Sequence, residues 1–228
     1  MVLVRVFALS LFALVLATPA LGADGEPKKA LTTKGQAIAK SIVLKRSDLT
    51  TGFVPHKPSD DSRPKGARCS GVGEDDLTVV GDADSPDFSR DAAGIAVGSS
   101  ASVYRSLSES NTAWRRAGTP AAVRCFADLV RLTAPAARKV KIVSAKQIPF
   151  PATSSKSLAY RVVATMSIGG SRTIRAYFDA VLLQRGTVQA ALVVTSLGTA
   201  VPLEQEQALA GVLAARMAKA AVPSGPVA

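Results

Sequence analysis

The chain of 228 residues carries 28 basic against 17 acidic side chains, a formal net charge of +11, with 2 cysteines and 1 histidine. That length supports one sizeable domain with its own core and no need of dense disulfides. A single histidine and two cysteines exclude a Cys/His metal cluster, and no GxSxG, HExxH or P-loop pattern is present, so the reaction classes those motifs mark are excluded too.

The opening segment, MVLVRVFALSLFALVLATPALGADG, places Arg5 before an apolar run from Val6 to Ala17, then Pro19 and small residues up to the first acid, Asp24. This is the three-part layout of a secretory signal peptide over residues 1–23, with small-residue cleavage options at 20–22 and 21–23. The run is shorter than the roughly 20 apolar residues a spanning helix takes. A secreted, extracellular cell-envelope protein is therefore predicted, with an uncleaved anchor as the weaker alternative and no stable membrane span after cleavage. No cysteine lies beside the cut, so a lipid anchor is not expected. Residues 24–33 and 221–228 are polar or rich in Pro and Gly and read as flexible ends around a single globular domain over 34–220.

In an exported chain of this length, Cys69 and Cys125 most simply form one disulfide. It would join positions 56 residues apart and stabilise by about 4 kcal/mol through the entropy of the unfolded chain. Metal binding and a catalytic thiol are the weaker readings. His56, the sole histidine, sits between prolines in FVPHKPSDD, where an idle loop position is expected.

In chain order, a short helix fits residues 36–45, followed by a turn at SDLTTGF where Ser47 or Asp48 can cap, and then by a loop rich in Lys, Pro and Asp. Residues 77–80 and 94–105 read as strands. Asp82, Asp84 and Asp87 suggest a calcium loop, but Pro86 follows Ser85 where a ligand is required and no distal glutamate completes the pattern, so a solvated turn and no metal site are expected. ESNTAWRRAG forms a helix that Gly118 ends, and Thr119-Pro120 starts the next. On that helix Cys125 shares an inward stripe with Trp114, Ala121, Leu129 and Leu132.

Strands are predicted over 140–148, 157–168, 172–183 and 187–197, then a helix from about 202 to 220. Leu158, Tyr160, Val162, Ala164, Met166 and Ile168 alternate onto one face, as do Ile174, Ala176, Phe178, Ala180 and Leu182. Three-residue loops at 168–170 or 169–171, and at 184–186 with Gly186 in the left-handed position, join these strands. The other face mixes apolar residues with Arg161, Arg175, Tyr177 and Asp179, so helices must cover both faces. With the second loop choice Arg161 lies directly across from Asp179. This pair, with Arg175 and Tyr177, is either a structural ion pair or a ligand-binding constellation. The fold class is α+β, an antiparallel meander of about five to six strands with helices packed on it.

The succession of a signal segment, a short helix, KRSDLTTGF, a first cysteine, TVVGDADSPDF, GIAVGSSASVYRS, a second cysteine on a Trp-containing helical hairpin, a meander and a final helix resembles secreted proteins of high-GC actinobacteria. The layout is similar to extracellular sensor domains of the PknH type and to LpqN-like proteins. That resemblance implies a Mog1/PsbP-like α-β-α sandwich and a generic binding role, and it brings no catalytic motif. The chain departs from the PknH-type pattern in having one disulfide where that family has two, and in lacking an attached kinase.

Charge is uneven along the chain. Residues 24–135 hold 16 basic and 14 acidic side chains, whereas residues 136–228 hold 11 and 3. Such a half attracts anionic lipids, wall polymers or acidic glycans, unless it serves solubility alone. With few aromatics and no nucleic-acid motif, nucleic acid is not an expected partner. The sequence thus predicts a monomeric, non-enzymatic binding or sensor-like envelope protein without a cofactor, whose partner is a small molecule or an anionic envelope component. A structural protein retained on anionic surfaces is the alternative, and an unrecognised enzyme the weakest.

Overall fold

The structure, a computed structural model, describes residues 25–57, 69–133, 139–167 and 172–220. The expected signal segment, the C-terminal tail, most of the stretch before Cys69, Arg138 and the hairpin tip at 168–171 lie outside the described residues.

Helix α1 (Thr33–Ile42) starts three residues earlier than the apolar pattern predicts, because the Thr32 side chain accepts from the Gly35 N–H at 3.0 Å and caps it. Gly35 then brings the helix backbone down onto strand β3 (Thr78–Asp84). A β-carbon on Gly35 would overlap the Val80 carbonyl, and one on Gly81 would overlap the Gly35 carbonyl. The preceding residues are not the loose end their composition suggested. Strand β1 (Lys28–Lys29) runs parallel to β3, with Lys28 N donating to Leu77 O at 2.8 Å and Ala30 N to Val79 O at 2.9 Å.

The acidic stretch is likewise not a solvated loop. It is taken up by β3 and by strand β4 (Asp87–Arg90), which pairs with β2 (Val54–His56) on one side and β5 (Ile95–Tyr104) on the other. Ser85, between β3 and β4, is fully buried, with its N–H donating to Ser99 O and its Oγ accepting from Ser99 N. Hydrogen bonding to the chain, rather than hydration, satisfies this turn.

Helix α2 (Leu107–Ala117) is capped by Ser106, and α3 (Pro120–Thr133) starts behind Thr119, whose Oγ1 accepts from Ala122 N at 3.4 Å. Strands β6 (Val140–Ile148), β7 (Lys156–Ser167), β8 (Thr173–Arg185) and β9 (Val188–Leu197) follow, each antiparallel to the next, and α4 (Leu203–Ala220) closes the described chain. The β7–β8 register pairs Ser167 with Thr173, as the 169–171 loop alternative requires. Between β8 and β9 the loop is shorter than predicted. Arg185 pairs with Val188, leaving a two-residue turn in which Gly186, at φ +59°, takes the position that mirror-image hairpin turns give to glycine.

The described residues form a mixed α and β structure of four α-helices and one open sheet in the order β1-β3-β5-β9-β8-β7-β6, with β4 and β2 continuing from β5. It holds nine strands rather than five or six, and the β1–β3 pair makes it partly parallel. Side chains alternate into two cores. Leu158, Tyr160, Val162, Phe178 and Leu182 pack with Ala122, Cys125, Phe126 and Leu129 of α3. Val181, Leu183, Leu192 and Val194 pack on the opposite face with Ala39 and Ile42 of α1 and Ala210, Leu213 and Met217 of α4. Each large side chain so buried stabilises by about 2 kcal/mol before its entropy cost. Leu132 does not belong to the inward stripe of α3; it is 49% exposed, and Phe126 and Val130 are buried there instead.

Candidate functional site

Helix α4 turns one face to the sheet through Glu206, Ala210, Leu213, Ala214 and Met217. The first of these is an acid with no exposed surface. Beneath it, the cross-strand register sets Arg161 of β7 against Asp179 of β8, with Arg161 Nε donating to Asp179 Oδ1 at 2.6 Å and Nη2 to Oδ2 at 2.9 Å. Glu206 Oε1 lies 3.5 Å from Arg161 Nη2, and Oε2 has no hydrogen-bond partner among the described residues. Two carboxyl groups therefore share one guanidinium away from water. Burial, followed by the charge of Asp179, pushes the Glu206 carboxyl up to about 9, so it is neutral at pH 7 and the cluster carries no net charge.

Glu206 also lines a cavity of about 400 Å3 on the α1–α4 side of the sheet. Its walls are apolar, formed by Leu49, Phe53, Ile95, Val97, Val194 and Leu209. Polar groups stand at Asp48, Thr50, Arg90, Gln205 and Glu206. Asp48 caps the short 3-10 turn at Arg46–Asp48, as the sequence allowed, by accepting from Lys45 N at 2.7 Å. Its carboxylate is also held by Arg216, with both guanidinium contacts at 2.8 Å. Arg90 is different. Its guanidinium carbon lies 5.6 Å from the centre of the Phe53 ring, a cation–π contact. Its Nε is buried without a hydrogen-bond partner, and among the described residues no ion pair joins it to a carboxylate.

The structure places the sequence-predicted residues as follows. Cys69 and Cys125 are bonded, with Cα atoms 5.0 Å apart, in the core of the other sheet face. Arg161 and Asp179 lie together behind the cavity, joined to it through Glu206. Arg175 and Tyr177 occupy the same face of β8 but do not line the cavity; Arg175 is exposed and Tyr177 half-buried. Glu206 and Arg90 were missed. An acid on the apolar stripe Glu206, Ala210, Leu213 was a visible signal for the first; nothing local marks Arg90.

His56 lies in strand β2, not in a loop. Its Nε2 lies 2.8 Å from Ser89 Oγ, which donates to Asp91 Oδ1 at 2.8 Å. A nucleophilic triad needs histidine between serine and acid, whereas here serine is in the middle, and Ser89 is 2% exposed. Among the described residues no group of three His, Cys, Asp or Glu could hold a metal ion.

The exposed basic side chains of the second half are spread along the sheet, with Lys146 midway, opposite Arg161, and Lys219 on α4. Lys139, Lys141, Arg172 and Arg175 lie toward the Ser167–Thr173 end of β7 and β8, while Lys156 and Arg185 lie at the other end. The β7–β8 pairing between those ends spans roughly 35 Å at about 3.3 Å per residue, several screening lengths at physiological salt. Neither a family model nor a curated protein sequence matches the chain.

Proposed function

We propose that the protein is an exported, non-enzymatic binding or sensor-like module whose site is the cavity between the start of α4 and strands β4, β5 and β9. The observation that carries this reading is a largely apolar cavity of about 400 Å3 with a fully buried carboxyl in its wall, one of whose oxygens has no hydrogen-bond partner among the described residues. Small-molecule sites are typically such concave, largely apolar spaces with a few placed polar groups. Export is supported by the disulfide, a bond that persists in oxidising compartments. Among the described residues no helix is long and apolar enough to cross a membrane. Helices on both faces of the sheet favour the Mog1/PsbP-like α-β-α type and the likeness to PknH-type and LpqN-like domains. The spread of the exposed basic side chains along the sheet, without a single patch, favours a pocket ligand over broad retention on anionic wall polymers.

Thermal melts against amphiphiles, wall fragments and glycans test this. A ligand at a hundred times its Kd adds about 2.7 kcal/mol, which for a domain of this size raises Tm by roughly 5–10 °C. The expected result is saturable stabilisation by one small-molecule class, abolished by Leu209→Trp, which fills the cavity. Broad, salt-sensitive stabilisation that ignores this substitution would refute it.

A further inference from the structure

We infer that the cavity takes a monoanionic amphiphile, an apolar chain ending in a carboxylate, with Arg90 as the anion's partner and Glu206 as a second hydrogen-bonding group. This rests on the reading of the cavity as the binding site and goes on to state what chemistry enters it.

The inference comes from the balance of charges around the cavity. Asp48 is neutralised by the bidentate contact of Arg216, and Asp179 by that of Arg161. Glu206, sealed from water beside Asp179, holds its proton. Asp91, next to Arg90 in the chain, accepts from Ser89. Of the charged groups on the described wall, Arg90 is left without a carboxylate, stacked on Phe53 with its Nε buried and unpartnered. A half-buried guanidinium with open donors is costly alone and favours a planar, bidentate acceptor. The apolar part of the wall, including Phe53, Val97, Val194 and Leu209, suits an alkyl chain. A cationic amphiphile would meet Arg90 with like charge, and a neutral one would leave it unpaired.

Calorimetric titration of the disulfide-intact protein with decanoate, decanol and decyltrimethylammonium tests this. Decanoate is expected to bind at least tenfold more tightly than decanol and a hundredfold more tightly than the ammonium. Arg90→Met should cost decanoate at least tenfold while changing decanol less than twofold, and Arg90→Lys should keep most of the preference for the anion. Equal binding of decanoate and decanol, or an unchanged preference in Arg90→Met, overturns the inference while leaving the cavity as the site. Failure of all three to bind, or binding untouched by Leu209→Trp, overturns the inference together with the cavity reading beneath it.

Discussion

On the α2–α3 face of the sheet, Cys69 is bonded to Cys125, Phe178, Leu182 and Val162 are buried to within a few per cent, and two deeply buried phenols, Tyr160 and Tyr104, donate their hydroxyls to the Ala117 carbonyl and to Glu74 Oε2. On the α1–α4 face, glycines bring a helix against a strand, three ionisable groups meet under α4, and a cavity stays open beside a carboxyl oxygen and an arginine nitrogen with no partners. The first face is covalently tied, and its own unpartnered buried atoms, Ser100 Oγ, Glu109 Oε2 and Gln184 Oε1, belong to residues that do not line the cavity. The second has its unpartnered atoms, Arg90 Nε and Glu206 Oε2, on residues that line an open cavity, where a bound molecule can reach them. On the function proposed above, the disulfide face serves stability and the cavity face serves recognition.

Substitutions on either side should break the comparison in different ways. The largest effect belongs to the disulfide. Cys125→Ala, with Cys69→Ala, frees a loop whose ends are 56 residues apart and should cost about 4 kcal/mol by urea titration, without loss of cavity binding. Asp179→Ala comes next. It leaves Arg161 buried without its bidentate partner and should cost about 3 kcal/mol, with Glu206 drawn into ionising beside the guanidinium. Gly81→Ala forces α1 away from β3 at the backbone contact with Gly35 and should cost about 2 kcal/mol, loosening the cavity face alone.

The smallest effect is the most discriminating. Glu206 holds its proton in the folded state up to about pH 9, against an ordinary value of 4.5. Across that window the native state binds a proton that the unfolded chain has lost, so stability falls as pH rises. Glu74, raised to about 7 by burial, and Asp87, raised to about 6 by burial and then by Asp84, act in the same direction but are spent by neutral pH. Glu206→Gln should therefore remove the decline between pH 7 and 9 and reduce it below pH 7 to the part that Glu74 and Asp87 contribute. An unchanged slope above pH 7 would mean that the cluster is already ionised.

Where periodicity governs, the sequence was readable. The alternation of Leu158 to Met166 and Ile174 to Leu182 lands on one face, the Arg161–Asp179 register is that of the second loop choice, and α3 starts behind Thr119, whereas α2, capped by Ser106, starts two residues before the expected Glu109. What was not readable depends on long-range backbone contact. Gly35 looks like a helix breaker until Gly81, 46 residues away, supplies the strand it must touch. The acids of TVVGDADSPDF look hydrated until Lys29 reaches Asp82 at 2.7 Å and Ser99 bonds Ser85. The site was half visible. Arg161 and Asp179 could be paired by register, but they stand behind the cavity, whereas Glu206 and Arg90, which line it, are brought together only when α4 folds back over β4, β5 and β9.

Mapping amide chemical shifts while decanoate is added to the disulfide-intact protein tests most directly whether the α1–α4 face is the binding side. Saturating shifts should concentrate at Phe53, Arg90, Val97, Val194 and Gln205 to Leu209, with Cys125, Phe126 and Leu129 unmoved. Shifts centred on the α2–α3 face, or none at saturating ligand, would contradict the assignment of recognition to the cavity.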